Sequence, residues 1–144
     1  MTGYPKGFYE LLLSTLAVLF VTGLLLIPTV LDLRLEWDVT WRLPNDQRLI
    51  IAAIHVAVSF LTLAFGGALW TFHMRRGWTA GRNKITGTML VTVIVLLLLS
   101  GVGIYYLGGE FSSIAASLTH TVLGVAVAFC FAVHFVRGRK SNSV

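Results

Sequence analysis

The hydrophobic pattern divides the chain into four long apolar runs separated by shorter polar segments. The runs lie at about residues 8–28, 49–73, 85–107 and 114–136. A helix that crosses the hydrocarbon core of a bilayer needs about 20 mainly apolar residues, and each run reaches that length. The pattern therefore predicts an all-α integral membrane four-helix bundle, with residues 1–144 forming a single transmembrane domain.

Composition and charge agree with this prediction and add an orientation. Hydrophobic residues make up 56% of the chain, and the mean hydropathy is +0.83. The formal net charge of +5 is concentrated in two segments that contain no acid. These are the connection between runs two and three, with Arg75, Arg76, Arg82 and Lys84, and the segment after run four, with Arg137, Arg139 and Lys140. Since excess Lys and Arg marks the cytoplasmic side, both termini are predicted to be cytoplasmic, and the charge does not indicate a nucleic-acid partner.

The connection between the first two runs has a different pattern. Pro28 is expected to end or kink the first helix. Apolar and polar residues then alternate between Leu33 and Leu43, as in an extended strand. Two interpretations of residues 29–47 remain open. The segment is an extended loop with Trp37 and Trp41 at the lipid interface, or it is a strand that docks an extramembrane redox subunit.

The four histidines of the chain all lie on two of the apolar runs. His55 and His73 are 18 residues apart on the second run, and His120 and His134 are 14 residues apart on the fourth. At 100° per residue, each spacing returns to within about 40° of the same helical face, with rises of roughly 27 Å and 21 Å. Ionisable residues inside a membrane are costly and usually functional, so these four are the candidate site.

Because runs two and four cross the membrane in the same direction, their histidines pair by depth. His55 is predicted to pair with His120 toward the outside, and His73 with His134 toward the cytoplasm. Two facing imidazoles can fill both axial positions of a haem iron, which leaves electron transfer as its chemistry. Zinc and di-iron sites need ligands clustered in one shell. A proton relay and structural histidines that bond across helices remain as alternatives.

A porphyrin also needs space between helices and cations for its propionates. The small residues Gly23, Gly87 and Gly101 are predicted to lie near the histidine levels, and Gly66 is predicted to lie close to the helical face of His55. Glycines at these positions allow close approach. Arg48 precedes His55 by seven residues, which places it on the same helical face about 10 Å farther out. We expect Arg48 to contact a propionate or a quinone. The dipeptides Thr22-Gly23 and Ser100-Gly101 hint at a duplicated helix pair.

With histidines at two depths, the 14-residue spacing, the glycines and the segment His134-Phe-Val-Arg-Gly-Arg, the chain resembles the four-helix di-haem b-type membrane cytochromes. These include the cytochrome b subunits of formate dehydrogenase and nickel–iron hydrogenase, and small bacterial quinol-oxidising b cytochromes. The resemblance covers residues 8–140. The resemblance departs in the first helix, where several such subunits have a histidine ligand and this chain has none. Here both ligands of each haem would come from the second and fourth helices, as in the cytochrome b of the respiratory bc complex.

The resemblance implies two haem b groups, a quinone or quinol, and a bacterial inner (cytoplasmic) membrane. The leading hypothesis is the electron-transfer cytochrome b subunit of a quinone-linked oxidoreductase, in contact with lipid, quinone and a redox subunit on residues 29–47. One alternative is a self-contained small quinol oxidoreductase with a diffusible partner. The other is a non-redox channel or assembly subunit with structural histidines.

Overall fold

The computed structural model describes residues 4–140, apart from the side chains of Phe72, Arg139 and Lys140. In chain order the helices are α1 (Phe8–Leu35), α2 (Asn45–Leu69), a π-helical segment (Trp70–Met74), α3 (Arg75–Thr79), α4 (Lys84–Tyr106) and α5 (Glu110–Lys140). No strand occurs in this described part of the chain. Helices α1, α2, α4 and α5 are long and apolar enough to cross a membrane. The all-α membrane prediction is therefore confirmed.

The surface of these helices is mostly apolar. Among the described side chains, the only buried hydrophobic ones are those of Leu12, Phe65 and Ala116. Large side chains such as Leu99 and Phe129 are 64% and 73% exposed. A protein in water rarely exposes so much contiguous apolar surface, whereas helices that face lipid must do so. The chain forms two compact units, one ending at Arg76 and one beginning at Gly77.

In the first unit, α1 packs against α2. An aromatic cluster fixes the beginning of α1, where Tyr4 stacks on Phe8 with ring centroids 4.3 Å apart. Phe8 in turn meets Phe65 of α2 edge to face at 5.4 Å. The Tyr4 hydroxyl donates a hydrogen bond to the carbonyl of Ala68 at 3.4 Å. These contacts join the N-terminal end of α1 to the C-terminal end of α2.

Of the two outcomes expected at Pro28, the end of the first helix is wrong, because α1 continues to Leu35 with Pro28 buried inside it. Proline inside a membrane helix is tolerated when neighbouring groups compensate for its missing N–H. Glu36 caps the C-terminal end of α1: its N–H donates to the carbonyl of Leu31, and its backbone is left-handed (φ 55°). The extended loop predicted for residues 29–47 is therefore limited to residues 36–44. The strand alternative is not observed in this segment.

The second helix also begins and ends differently from its prediction. Helix α2 begins at Asn45, directly after Pro44, whose carbonyl accepts the N–H of Arg48 at 2.8 Å. At its other end the helix widens into the π segment that contains His73. A π turn bonds residue i to i+5 and therefore rotates less per residue than an α-helix. The π segment therefore changes the rotation between His55 and His73 from that of the uniform α-helix assumed in the prediction.

In the second unit, α4 packs against α5 through small residues. A Cβ placed at Gly103 would lie 3.1 Å from the Cβ of Ala116, so the backbones approach closely here. Ser113 and Ser117 are buried on the same part of α5. Small residues permit such close packing of membrane helices. The connection that precedes α4 turns at Gly81 and Asn83, which both have positive φ angles (69° and 50°).

Candidate functional site

His55 lies in the first unit, against a threonine and a glycine of α1. Its Nδ1 is 3.0 Å from the hydroxyl oxygen of Thr22. The Thr22 hydroxyl also lies 2.7 Å from the carbonyl of Val18, one turn earlier in the same helix. A Cβ on Gly23 would be only 3.1 Å from His55 Cε1. Thr22 therefore positions the ring by a hydrogen bond, and Gly23 leaves the space that the ring occupies.

His120 has the same surroundings in the second unit. Its Nδ1 lies 3.2 Å from the hydroxyl oxygen of Ser100 and 3.0 Å from the carbonyl oxygen of Leu97. A Cβ on Gly101 would be 3.3 Å from His120 Cε1. The Ser100 hydroxyl also lies 2.8 Å from the carbonyl of Leu96 in its own helix. His120 thus has two acceptors at Nδ1, a side chain and a backbone group.

His134 repeats the arrangement at the other end of α4. Its Nδ1 lies 3.0 Å from the Thr86 hydroxyl oxygen. That hydroxyl also lies 3.2 Å from the carbonyl of Asn83. A Cβ on Gly87 would lie 3.7 Å from His134 Cε1, which is an ordinary van der Waals distance. Three histidines are therefore held by a hydroxyl–glycine dipeptide on the preceding long helix, and we call each arrangement a histidine cradle.

The hydrogen bonds of the cradles favour one tautomer of the histidine rings. A hydroxyl has one proton, and each of these hydroxyls has a nearby backbone carbonyl that can accept it, which favours a hydroxyl oxygen that accepts from Nδ1–H. At His120 the carbonyl of Leu97 can only accept, which leads independently to the same tautomer. The neutral ring then has its lone pair on Nε2. Metal-binding histidines commonly have this arrangement, with the other ring nitrogen donating to a protein group.

His73 differs from the other three histidines. It lies in the π segment, its side chain is exposed, and a Cβ on Gly66 or Gly67 would meet nothing within 4 Å. Its backbone lies near the Tyr4 hydroxyl. Burial raises the pKa of Tyr4, and a hydrogen bond with the His73 backbone opposes that shift. π turns in membrane and soluble helices alike are frequent at functional sites.

The other predicted site residues have distinct surroundings. Gly23, Gly87 and Gly101 lie against imidazole rings, so the space they provide holds the histidines themselves. Gly66 faces open space. Arg48 is partly buried, and its Nε has no hydrogen-bond partner within residues 4–140. A buried donor without an acceptor is costly, which is consistent with a ligand oxygen at this position.

Residues 29–47 contain no strand, and an ion pair joins the loop to the end of α1. Arg42 forms an ion pair with Asp32 of α1, which closes the loop onto the helix. Trp37 and Trp41 are 58% and 67% exposed, as expected for side chains at a lipid interface. Within the described residues, no group of three or more His, Cys, Asp or Glu side chains could hold a metal ion together. A site built from two histidines does not require such a group.

The sequence interpretation identified the histidines and glycines but not the hydrogen-bond acceptors. The spacing of the histidines predicts no role for Thr86, and Thr22 and Ser100 enter the prediction only as parts of a possible duplicated helix pair. The signal in the sequence is the hydroxyl–glycine dipeptide, which occurs at residues 22–23, 86–87 and 100–101 in the described helices. A hydroxyl beside a glycine provides both the acceptor and the space that a histidine ring on a neighbouring helix needs.

Four membrane-length apolar helices and three cradled histidines define an all-α membrane protein with imidazole groups fixed between its helices. Comparisons with protein families, with curated proteins and with solved structures found no match.

Proposed function

We propose that the chain is a b-type cytochrome of the membrane, which carries electrons through two haem groups ligated by its four histidines. The observation that supports this proposal is the set of three cradles. Each cradle favours the proton on Nδ1 and the lone pair on Nε2, the form of the ring that can ligate iron. A structural histidine needs only some hydrogen bond, whereas a ligand needs this tautomer and a fixed ring orientation.

In this proposal, the ligand pairs are those predicted from depth, His55 with His120 and His73 with His134. Haem b held by these histidines would supply a one-electron couple. Thr22, Thr86 and Ser100 orient three of the rings and increase the basicity of Nε2 by accepting hydrogen bonds from Nδ1–H. Gly23, Gly87 and Gly101 keep the rings close to the helix backbones.

Arg48 is the candidate contact for an acidic group of haem or for a quinone oxygen. Its Nε is buried and lacks an acceptor among the described residues. It lies in the first two turns of α2, where the sequence places the outer membrane surface. A carboxylate or carbonyl oxygen would satisfy this donor and would offset the cost of its burial.

The proposal extends to partners and location. As a subunit of a quinone-linked oxidoreductase in a bacterial inner membrane, the chain would exchange electrons with quinone and with an extramembrane redox subunit at residues 29–47. A self-contained quinol oxidoreductase is the alternative if no such subunit exists. Co-purification discriminates between them, because the first predicts a stable complex and the second predicts an active chain alone.

The cradles also favour a second candidate function. The same hydrogen bonds would join membrane helices in a non-redox channel or assembly subunit, in which the histidines are structural. Such hydrogen bonds between membrane helices contribute about 0.6 kcal/mol on average. This candidate predicts a colourless protein whose stability, but not cofactor content, responds to histidine substitution.

The test is a reduced-minus-oxidised visible spectrum of the purified protein, with a pyridine haemochrome assay for haem content. We expect two b-type haems per chain, and the loss of one in either His55→Ala or His120→Ala. Gly67→Ala is a suitable control, because a Cβ there would meet nothing within 4 Å and Gly67 has no predicted role in the site. A correctly assembled, monodisperse and haem-free protein would refute the cytochrome proposal and favour the structural role.

A further inference from the structure

Two open surface depressions of the second unit share Arg137 as a lining residue. The first, which we call the basic cavity, has a volume of about 290 Å³ and is lined by Asn83, Lys84 and Arg137 together with Gly81, Ile85 and Thr86. None of the residues that line it is acidic. Two cations and an amide around one cavity, without a counter-charge, are suited to an anionic group. The cavity lies at the beginning of α4, on the side that the charge distribution predicts to be cytoplasmic.

The second cavity has a volume of about 360 Å³ and is lined by Ala132, Val133 and Val136, together with Arg137. Its apolar residues precede Arg137 on α5, within the membrane-spanning part of that helix. The depression is therefore an open apolar groove on the surface of one helix, which extends from Arg137 toward the middle of α5. An aqueous anion would leave this apolar groove unused, whereas an acyl chain would fill it.

The surroundings of Lys84 place the basic cavity at the depth of lipid headgroups. The Lys84 ammonium lies 5.3 Å from the centroid of the Trp78 ring. Trp78 is 59% exposed, and exposed tryptophans at the ends of membrane helices mark the lipid interface. Asn83 precedes α4 and makes no side-chain cap, so the first backbone N–H groups of α4 also favour an anion.

We propose that the two cavities together bind one anionic phospholipid. Lys84, Arg137 and the first turn of α4 hold the phosphate, and one acyl chain lies along Ala132, Val133 and Val136. Basic cavities at the cytoplasmic ends of membrane helices recognise anionic headgroups in this way. The proposal does not require haem, so its result is independent of the cytochrome proposal.

The experiment is native mass spectrometry of the purified full chain in detergent, titrated with phosphatidylglycerol or with phosphatidylcholine. We expect retention of one phosphatidylglycerol, with much weaker retention of phosphatidylcholine. The double variant Lys84→Gln/Arg137→Gln should bind phosphatidylglycerol on the order of 30-fold more weakly, since two surface cations are removed. Arg82→Gln is the matched control, because it removes a cation from the same connection without removing a residue that lines either cavity.

A second variant tests the acyl-chain groove without changing charge. Val133→Trp should fill the groove and weaken phosphatidylglycerol binding, while binding of the chain-free probe glycerol phosphate stays unchanged. The proposal is overturned if glycerol phosphate binds as tightly as the lipid, or if Arg82→Gln weakens binding as much as the double variant. It is also overturned if the double variant keeps the lipid but loses haem, because the cavity would then hold a haem carboxylate.

Discussion

The contact between Gly23 and His55 leaves no room for a side chain, and replacing Gly23 with alanine tests this. In water, alanine is about 1 kcal/mol better than glycine inside a helix, so in open space the change should stabilise the protein. At Gly23, however, the new Cβ would lie 3.1 Å from His55 Cε1. Few real Cβ contacts are so short, so the ring of His55 must move by a few tenths of an ångström.

The size of the effect follows from what holds the ring. His55 Nδ1 is bonded to Thr22 at 3.0 Å, in the turn that contains Gly23, so the ring moves only by straining that bond. Overpacking a tight contact costs about 1–3 kcal/mol. The helix-propensity gain offsets part of this, so we expect Gly23→Ala to lower the free energy of unfolding by about 1 kcal/mol. Relative to a glycine in open space, the difference should reach about 2 kcal/mol.

The structure provides a graded series for the assay. The Cβ-to-ring distance increases from 3.1 Å at Gly23 to 3.3 Å at Gly101 and 3.7 Å at Gly87. Gly66 is the matched control, because a Cβ there meets nothing within 4 Å. Reversible unfolding in mixed detergent, followed by circular dichroism, should therefore rank the alanine variants from most to least destabilised as Gly23, Gly101, Gly87 and Gly66.

Two outcomes would refute this reasoning. If Gly66→Ala destabilises the protein as much as Gly23→Ala, the effect is a general property of glycine in these helices and not a contact with a histidine. If Gly87→Ala is the most damaging, the order of distances does not control the cost. Haem content measured on the same variants is a separate readout, and the packing prediction holds whether or not haem binds.

The remaining predictions concern hydrogen bonds and charge. Thr22→Val should remove the acceptor that favours the Nδ1–H tautomer of His55. Ser100→Ala should leave His120 in that tautomer, because the Leu97 carbonyl also accepts there. ¹⁵N NMR of labelled histidine measures both tautomers, and equal changes in the two variants would contradict the assignment. Asp32→Asn should remove the ion pair with Arg42 at a cost of at most about 1 kcal/mol, because the pair is partly exposed. Unfolding at low and high salt measures this cost, which should shrink as salt rises, and a salt-independent loss would contradict an electrostatic cause.

The number and character of the helices could be predicted from the sequence because bilayer thickness fixes the length of an apolar run. The helix ends could not be predicted as well. Helix α1 extends beyond Pro28 to Leu35, and α2 begins at Asn45 before the apolar run. Hydropathy measures where lipid begins, whereas the backbone continues to form hydrogen bonds in the polar interface. Helix ends outside the apolar core therefore depend on local turns, which hydropathy does not detect.

The alternating segment shows how periodicity can mislead. Residues 33–43 alternate in polarity, which is typical of a strand half covered by a sheet. The first part of this segment belongs to α1, and the rest is irregular. A strand needs a partner for its backbone N–H and C=O groups, and this chain provides none in the described residues. Alternation in a short segment at a membrane surface can instead reflect apolar residues that face lipid beside polar residues that face water.

The cradles could be predicted by comparing residue spacings on two neighbouring helices, which the periodicity of a single helix does not reveal. Spacing places His120 and His134 on one face of α5, and the same 14-residue spacing separates Ser100-Gly101 from Thr86-Gly87 on α4. Two antiparallel helices with equal spacings can match at both levels, which explains why both histidines of α5 are cradled by one helix. His73 lies 18 residues from His55, so a partner helix would need an equal spacing, and Thr22-Gly23 has no counterpart at that distance in the helical part of α1. At that position the chain has a π turn and an aromatic cluster. His73 therefore has no cradle, because the 18-residue spacing on α2 has no equal spacing of hydroxyl–glycine dipeptides on α1. In a sequence of this kind, equal spacings of histidines and of hydroxyl–glycine dipeptides on neighbouring helices predict cradles.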